Sequence, residues 1–152
     1  MIDQRLRELG ITLPQASAPA ANYLPYAIHG DLLYISGQLP TNAAGELTRG
    51  KLGATHDVAA GQEAARLCTI NILAQARNAL GGDLERIRQV VKITGFVAST
   101  PDFVEQHLVV NGASNLLVEV LGERGRHARA AVGMAALPLD AAVEVEAIIA
   151  IG

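Results

Sequence analysis

His127 to Glu146, HARAAVGMAALPLDAAVEVE, sets its few ionised groups in two runs otherwise built of small and aliphatic residues. From Ala128 to Ala136 the chain reads as a strand, Pro138 and Asp140 mark a turn, and Val143 to Ile151 alternates at strand period. A β-hairpin is the expectation. Alternation puts Arg129, Ala131, Gly133 and Ala135 on one face of the first strand, and Ala130, Val132, Met134 and Ala136 on the other. In the second strand Val143, Val145, Ala147, Ile149 and Ile151 form the apolar face, and Glu144 and Glu146 point away from it. With Ala135 opposite Glu144, Arg129 and both glutamates share a face. A cation over a floor of Ala and Gly, with carboxylates nearby, suits a small anionic molecule better than a core. In that register Arg129 lies about six residues from the position opposite Glu144, on the order of 20 Å at ~3.4 Å per residue. No small ligand spans that. Either twist and a bulge shorten the distance, or Glu144 reaches the Arg129 of a neighbouring subunit, and the neighbour is favoured.

The rest of the composition agrees with a sheltered site in a soluble assembly. At 152 residues the chain is long enough to bury a core without disulfides or metal, and it reads as one domain over 1–152. Hydrophobic residues make up 50% and charged residues 18%, against roughly 25% charged in ordinary soluble domains. A monomer would leave apolar surface exposed, and an oligomer removes it. Basic residues are scattered, the net charge is −3 and aromatics are 3%, which argues against a nucleic-acid partner. No apolar run approaches the roughly 20 residues of a membrane span. Asp3, Arg5, Arg7 and Glu8 interrupt any signal-peptide core, and Cys68 has no second cysteine to pair with. A cytoplasmic setting is expected.

Taken in order, residues 2–9 form a short amphipathic helix ended by Gly10, an appendage to the domain. The Pro-rich segment from Ile11 to Pro25 runs extended over another surface. Residues 25–30 and 32–38 read as strands joined at Gly30-Asp31, with a short extended piece near Glu46 to Lys51. Tyr26 either presents its hydroxyl to a pocket or is a half-buried strand tyrosine. Ser36-Gly37 either admits a ligand to the backbone or is plain turn chemistry. Asp57 to Leu80 is the longest helix, with Cys68 in its apolar stripe as a buried thiol, and Gly81-Gly82 stops it. One more helical turn is expected within 83–89, and a strand over 90–99. A second long helix follows, N-capped by Thr100 and running to Leu121 with a break near Asn111-Gly112. Asn111 is either that break or a polar group aimed at a site. The order β-β-(β)-α-β-α-β-β requires a mixed sheet with helices on one face.

The early Pro25-Tyr26, ISGQLP at 35–40, TGFVAS with its following PDF, Asn111, and HARAAVGMAALP followed by VEVEAI resemble the Rid family, the reactive intermediate deaminases also called YjgF or L-PSP. The resemblance runs from about Ala18 to Ile151. Residues 1–14, as an N-terminal helical extension, resemble a longer subgroup. It implies an α+β, chorismate-mutase-like fold with two main helices on one face of a mixed sheet, assembled as a homotrimer with clefts between subunits. It implies that Arg129 grips a substrate carboxylate, Glu144 handles water, Tyr26 lines the cleft, and Ser36, Gly37 and Asn111 border it. Deaminating members hydrolyse 2-imino acids and their enamine tautomers to 2-keto acids and ammonia, with no metal or cofactor. Where those members often carry a cysteine, this chain has Ala131, and Gly133 is smaller than the usual residue. Both changes are expected to widen the pocket. The alternatives are a non-catalytic trimer binding small carboxylates and, ranked last, an endoribonuclease or translation inhibitor. His127 is read as a loop-end or interface residue and Glu146 as a solvated or intersubunit charge.

Overall fold

The computed structural model describes residues 1–18 and 21–152; Pro19 and Ala20 of the extended segment lie outside the described residues. Helix α1, Ile2–Glu8, is the expected N-terminal helix, and Gly10 at φ 70° lets the chain turn away after it. It is no appendage. Ile2 and Leu6 are 2% and 4% exposed and belong to the core. The Ile2 amide donates to Glu85, and Arg5 Nε donates to the Glu119 carbonyl at 2.8 Å. The Pro-rich segment that follows lies over a helix, as expected, because Arg77 and Gln75 donate to the carbonyls of Leu13 and Ser17.

Strands β1, Tyr26–His29, and β2, Leu32–Gln38, form the expected hairpin, with Gly30 at φ 63° in the turn. The expected piece near Glu46 to Lys51 supplies only single bridges, Thr41 to Leu47 and Arg49 to Ala141. Helix α2, Val58–Ala79, starts where Asp57 accepts from the Ala60 amide and ends before Gly81 and Gly82, both at positive φ. A 3₁₀ turn at Leu84–Arg86 leads into β3, Ile87–Ala98, which begins three residues earlier than the apolar run suggests.

Helix α3, Gln106–Leu121, differs from expectation at both its start and its middle. Thr100 does not cap it. Its hydroxyl bonds Asp102 within a turn, and the helix opens five residues after Pro101, behind Glu105. Nor does α3 break at Asn111-Gly112. Gly112 is there because a Cβ would stand 2.1 Å from the Gln62 carbonyl oxygen of α2, so the absent side chain lets the two helices touch backbone to backbone.

The main correction concerns the last two strands. Among the described residues β4, Ala128–Met134, and β5, Val143–Ile151, belong to one five-stranded sheet in the order β1-β2-β5-β3-β4. They are not a hairpin, because β3 lies between them, parallel to β4 and antiparallel to β5. β4 also ends at Met134, short of Ala136, and the connection turns through Pro138–Asp140 with Leu139 and Asp140 at positive φ. The fold is α+β with a mixed sheet. Helices α2 and α3 cover one face, against which Leu33, Ile93, Val143, Val145 and Ile149 are fully buried. The other face is open and partly apolar, with Tyr34 and Val132 42% and 37% exposed. Among the described residues no helix is long and apolar enough to cross a membrane.

Candidate functional site

Register decides which side chains can meet. Arg129 is aligned with Ile93 and Ala147, both buried under the helices, so it stands on the helix-covered face, at the sheet edge formed by β4. Glu144 is aligned with Phe96 and, one strand further, Val132, so it stands on the open face. The shared face expected from a hairpin does not exist. Two strand spacings and three residues of offset put the two Cα atoms ~14 Å apart, using ~4.8 Å and ~3.3 Å for those steps. With β3 between them and opposite orientations, Arg129 and Glu144 of one chain cannot touch the same small molecule.

The sequence-derived residues therefore gather into two groups. The first lies where β4 meets α3. Arg129 donates from Nη1 to Ser114 Oγ at 3.1 Å and from Nη2 to the His107 carbonyl at 2.9 Å. His107, Asn111 and Ser114 are spaced four and three residues apart on α3, which puts Asn111 on the stripe that Arg129 follows. Ala131 is half-buried and packs on the core beside them. Gly133 does not widen this region as expected. A Cβ there would stand 2.8 Å from Gln106 Nε2, so the Gln106 side chain already occupies the space. Among the described residues Arg129 has no acidic partner within salt-bridge distance; the ion pairs link Arg5 to Glu8, Arg66 to Glu119, Arg124 to Glu85 and Arg126 to Glu123. A salt-bridged sheet face is not what holds it.

The second group lies on the open face, where β2 bulges. Ile35 opposes Ala147 and Gln38 opposes Val145, so Ser36 and Gly37 together stand against Glu146. The extra residue turns the Gly37 backbone onto the Glu144 side chain, whose Cδ and Oε1 would be 2.8 Å from a Cβ at position 37. Close approach is thus used by a side chain of the same protein. Burial pushes the half-buried Glu144 carboxyl above its ordinary range, and the neighbouring Glu146 carboxylate adds to the shift. Glu146 itself is exposed. Ser36 spends its hydroxyl hydrogen on the Leu24 carbonyl at 2.7 Å, while its amide bonds Pro25. Tyr26 does not belong to this group: it is half-buried and aligned through Ile35 with Ala147, so it stands on the helix-covered face and packs against the core at the opposite edge of the sheet from Arg129. Cys68 is fully buried with its thiol pushed well up, by burial first and by Glu144 second, and is no nucleophile.

Sequence reasoning missed Ser114 and the bond it makes to His127, which stands at the loop end just before β4, as expected. His127 Nε2 lies 2.8 Å from Ser114 Oγ and Nδ1 lies 2.6 Å from the Gly125 carbonyl. Spacing from Asn111 could have nominated Ser114, but nothing local joins it to His127.

A model of the family described as "YjgF/chorismate_mutase-like, putative endoribonuclease" matches residues 3–150. The chain belongs to the Rid/YjgF/L-PSP family. It is 52% identical over 145 residues to Protein TCP17 of Trypanosoma cruzi, covering 95% of this chain and 90% of that one. A crystal structure of an Agrobacterium tumefaciens protein of unknown function superposes on this YjgF-family chain with a TM-score of 0.93 at 60% identity, over 99% of this chain and 92% of that one. The crystal structure of RidA from an Antarctic Psychrobacter gives a TM-score of 0.63 at 31% identity, over 90% and 94% of the two chains.

Proposed function

We propose that this protein hydrolyses reactive 2-imino acids and their enamine tautomers to 2-keto acids and ammonia, in clefts where Arg129 of one subunit faces Glu144 of the next. The observation that carries the reading is that a guanidinium with no acidic partner among the described residues and a carboxylate with raised proton affinity stand on opposite faces of one sheet. A second copy is the direct way to bring them together. The partly apolar open face around Tyr34 and Val132 supplies a surface for it to bury, and a homotrimer with three equivalent clefts is the assembly proposed. Similarity to a RidA supports the same reading.

The chemistry asks little of the site. The substrate carboxylate takes a two-pronged bond from Arg129, stronger and more directional than a lone ammonium would offer. Protonation of the imine nitrogen makes its carbon electrophilic. Water adds there as Glu144 accepts the water proton, and collapse of the resulting carbinolamine expels ammonia and leaves the keto acid. A carboxylate whose proton affinity is raised by burial is a better base than a solvated one. Asn111, Ser36 and Gly37 border the cleft in this reading and Tyr26 lines its wall. No metal or cofactor enters the proposed step.

A second reading, a trimer that binds small carboxylates without turning them over, draws on Ala131, which places a methyl where deaminating relatives often carry a thiol. Measuring hydrolysis of 2-iminobutyrate, generated in place, separates the two. Mixing Arg129→Ala with Glu144→Gln chains then tests the shared cleft, since some interfaces in mixed assemblies combine two unmutated surfaces. Activity above either variant alone is expected. Proven mixed assemblies with none, from a wild type that deaminates, would refute the two-subunit cleft.

A further inference from the structure

The clamp is itself held, and the groups that hold it form a directed chain. The Gly125 carbonyl 2.6 Å from His127 Nδ1 can only accept, so Nδ1 carries the hydrogen of the neutral ring. Nε2 is then a bare acceptor, and the hydroxyl of Ser114 at 2.8 Å points its hydrogen there. That orientation turns the lone pairs of Ser114 Oγ away from His127 and makes them available to Arg129 Nη1 at 3.1 Å. A serine inside a helix commonly bonds the carbonyl one turn back on its own helix. Ser114 bonds a histidine thirteen residues on and an arginine fifteen residues on instead. The His107 carbonyl takes a hydrogen from the other terminal nitrogen, Nη2, at 2.9 Å. Two of the five N–H groups of a guanidinium are thereby fixed to α3, and among the described residues the other three have no partner and can serve a ligand.

We infer that Ser114 and His127 are positioning residues for Arg129, with His127 setting the direction of the Ser114 hydroxyl and Ser114 locking the guanidinium in place before a carboxylate arrives. This rests on the reading of Arg129 as the carboxylate clamp. An arginine side chain has several rotatable bonds, and fixing them in advance removes an ordering cost that binding would otherwise carry. Neither residue touches the substrate in this scheme. They act on affinity and leave the chemical step alone.

The test uses the full-length protein with Ser114→Ala, Ser114→Thr and His127→Ala. Its first readout is the ¹⁵N NMR signal of the Arg129 guanidinium, assigned with Arg129→Lys. In the wild type the two terminal NH₂ groups should give separate signals because rotation is hindered. Ser114→Ala and His127→Ala should merge them and Ser114→Thr, which keeps the hydroxyl, should restore separation. The second readout is turnover of 2-iminobutyrate, where Ser114→Ala should raise KM about tenfold with kcat little changed. A purely packing role predicts a lower unfolding midpoint with no such KM-against-kcat split. Guanidinium signals already averaged in the wild type, or left separate by Ser114→Ala, overturn the inference whatever the kinetics show. If the wild type neither binds nor converts a carboxylate, the clamp reading fails, and the NMR comparison still decides whether Ser114 and His127 hold Arg129.

Discussion

Gly37→Ala puts a single methyl against the carboxylate on which the proposed reaction depends. The added Cβ would lie 2.8 Å from Glu144 Cδ and Oε1 and 3.0 Å from Cγ, where ordinary contact begins at 3.4 Å, so the carboxylate must retreat by about 0.6 Å. Backbone strain does not enter, because Gly37 is not among the positive-φ glycines. Reduced freedom of the unfolded chain favours the alanine by ~0.4–1 kcal/mol, which offsets much of the cost of moving one flexible side chain. The unfolding midpoint should therefore stay within ~2–4 °C of wild type, the shift expected from about 1 kcal/mol in a chain of this size. Catalysis should suffer more. Misplacing a reacting group by about 1 Å can cost ~10²-fold, so a loss of about tenfold in kcat is expected. Moving the carboxyl toward solvent relieves the burial that raises its proton affinity, and its pKa should fall back toward 4.5. Turnover of 2-iminobutyrate and a ¹³C NMR titration of Glu144 read the two effects separately. Full activity with a Glu144 signal that has demonstrably moved would show that this carboxylate is not the base. An unmoved titration would refute the contact itself.

Arg129→Ala should weaken binding of 2-ketobutyrate about a hundredfold, the scale of a lost charged two-pronged bond, while the unfolding midpoint stays close to wild type; unchanged affinity with a lower midpoint in calorimetry would assign Arg129 to structure. Glu144→Gln should raise the midpoint at about pH 7 and make no difference at about pH 4. Folding raises the Glu144 pKa, so its contribution is complete below the unfolded value of 4.5 and is lost as pH rises through the folded value, whereas glutamine stays neutral throughout. A gap that widens on acidification would contradict the sign. Light scattering at low micromolar concentration should give about three times the 15.9 kDa chain mass, and the mass of one chain would exclude the trimer.

What could be read from the sequence was whatever depends on neighbours in the chain. The alternation in Val143 to Ile151, the stripe through Cys68 and Ile72, and the glycines at 30, 81 and 82 each specify an element locally, and each element is there. Strand partners are a different matter. In β4 the helix-facing positions beyond Arg129 are only Ala131 and Gly133, too little side-chain bulk to specify a neighbour, so adjacency in sequence favoured a hairpin that the structure replaces with the central β3. A signal for that was present in β3 itself, where Ile93, Gly95, Val97 and Ala98 crowd the buried positions of a strand flanked on both sides. The start of α3 was misplaced because Glu105 supplies no side-chain cap, whereas Thr100 looks like one and serves a turn. Gly112 resembled a helix break because the surface that demands a glycine there belongs to α2. The residues of the proposed site were nearly all named from sequence, but their division between two faces follows from register alone. Ser114 stayed hidden because its partner arrives through tertiary folding.

The order of the sheet also bears on how the protein is made. Strand β5, the last of the five to leave the ribosome, is the one that fills the gap between β2 and β3. Until it emerges, the β1-β2 hairpin and the β3-α3-β4 crossover have no strand to join them, and the buried faces of α2 and α3 lack the middle of the surface they pack on. A nascent chain stalled before Val143 would thus expose two half-sheets with open edges, a state that invites pairing with other chains and calls on chaperones. Release of the final strand closes both edges at once and brings the Glu144 carboxyl over Gly37 in the same step. In synthesis, this half of the proposed site and the centre of the fold are completed together.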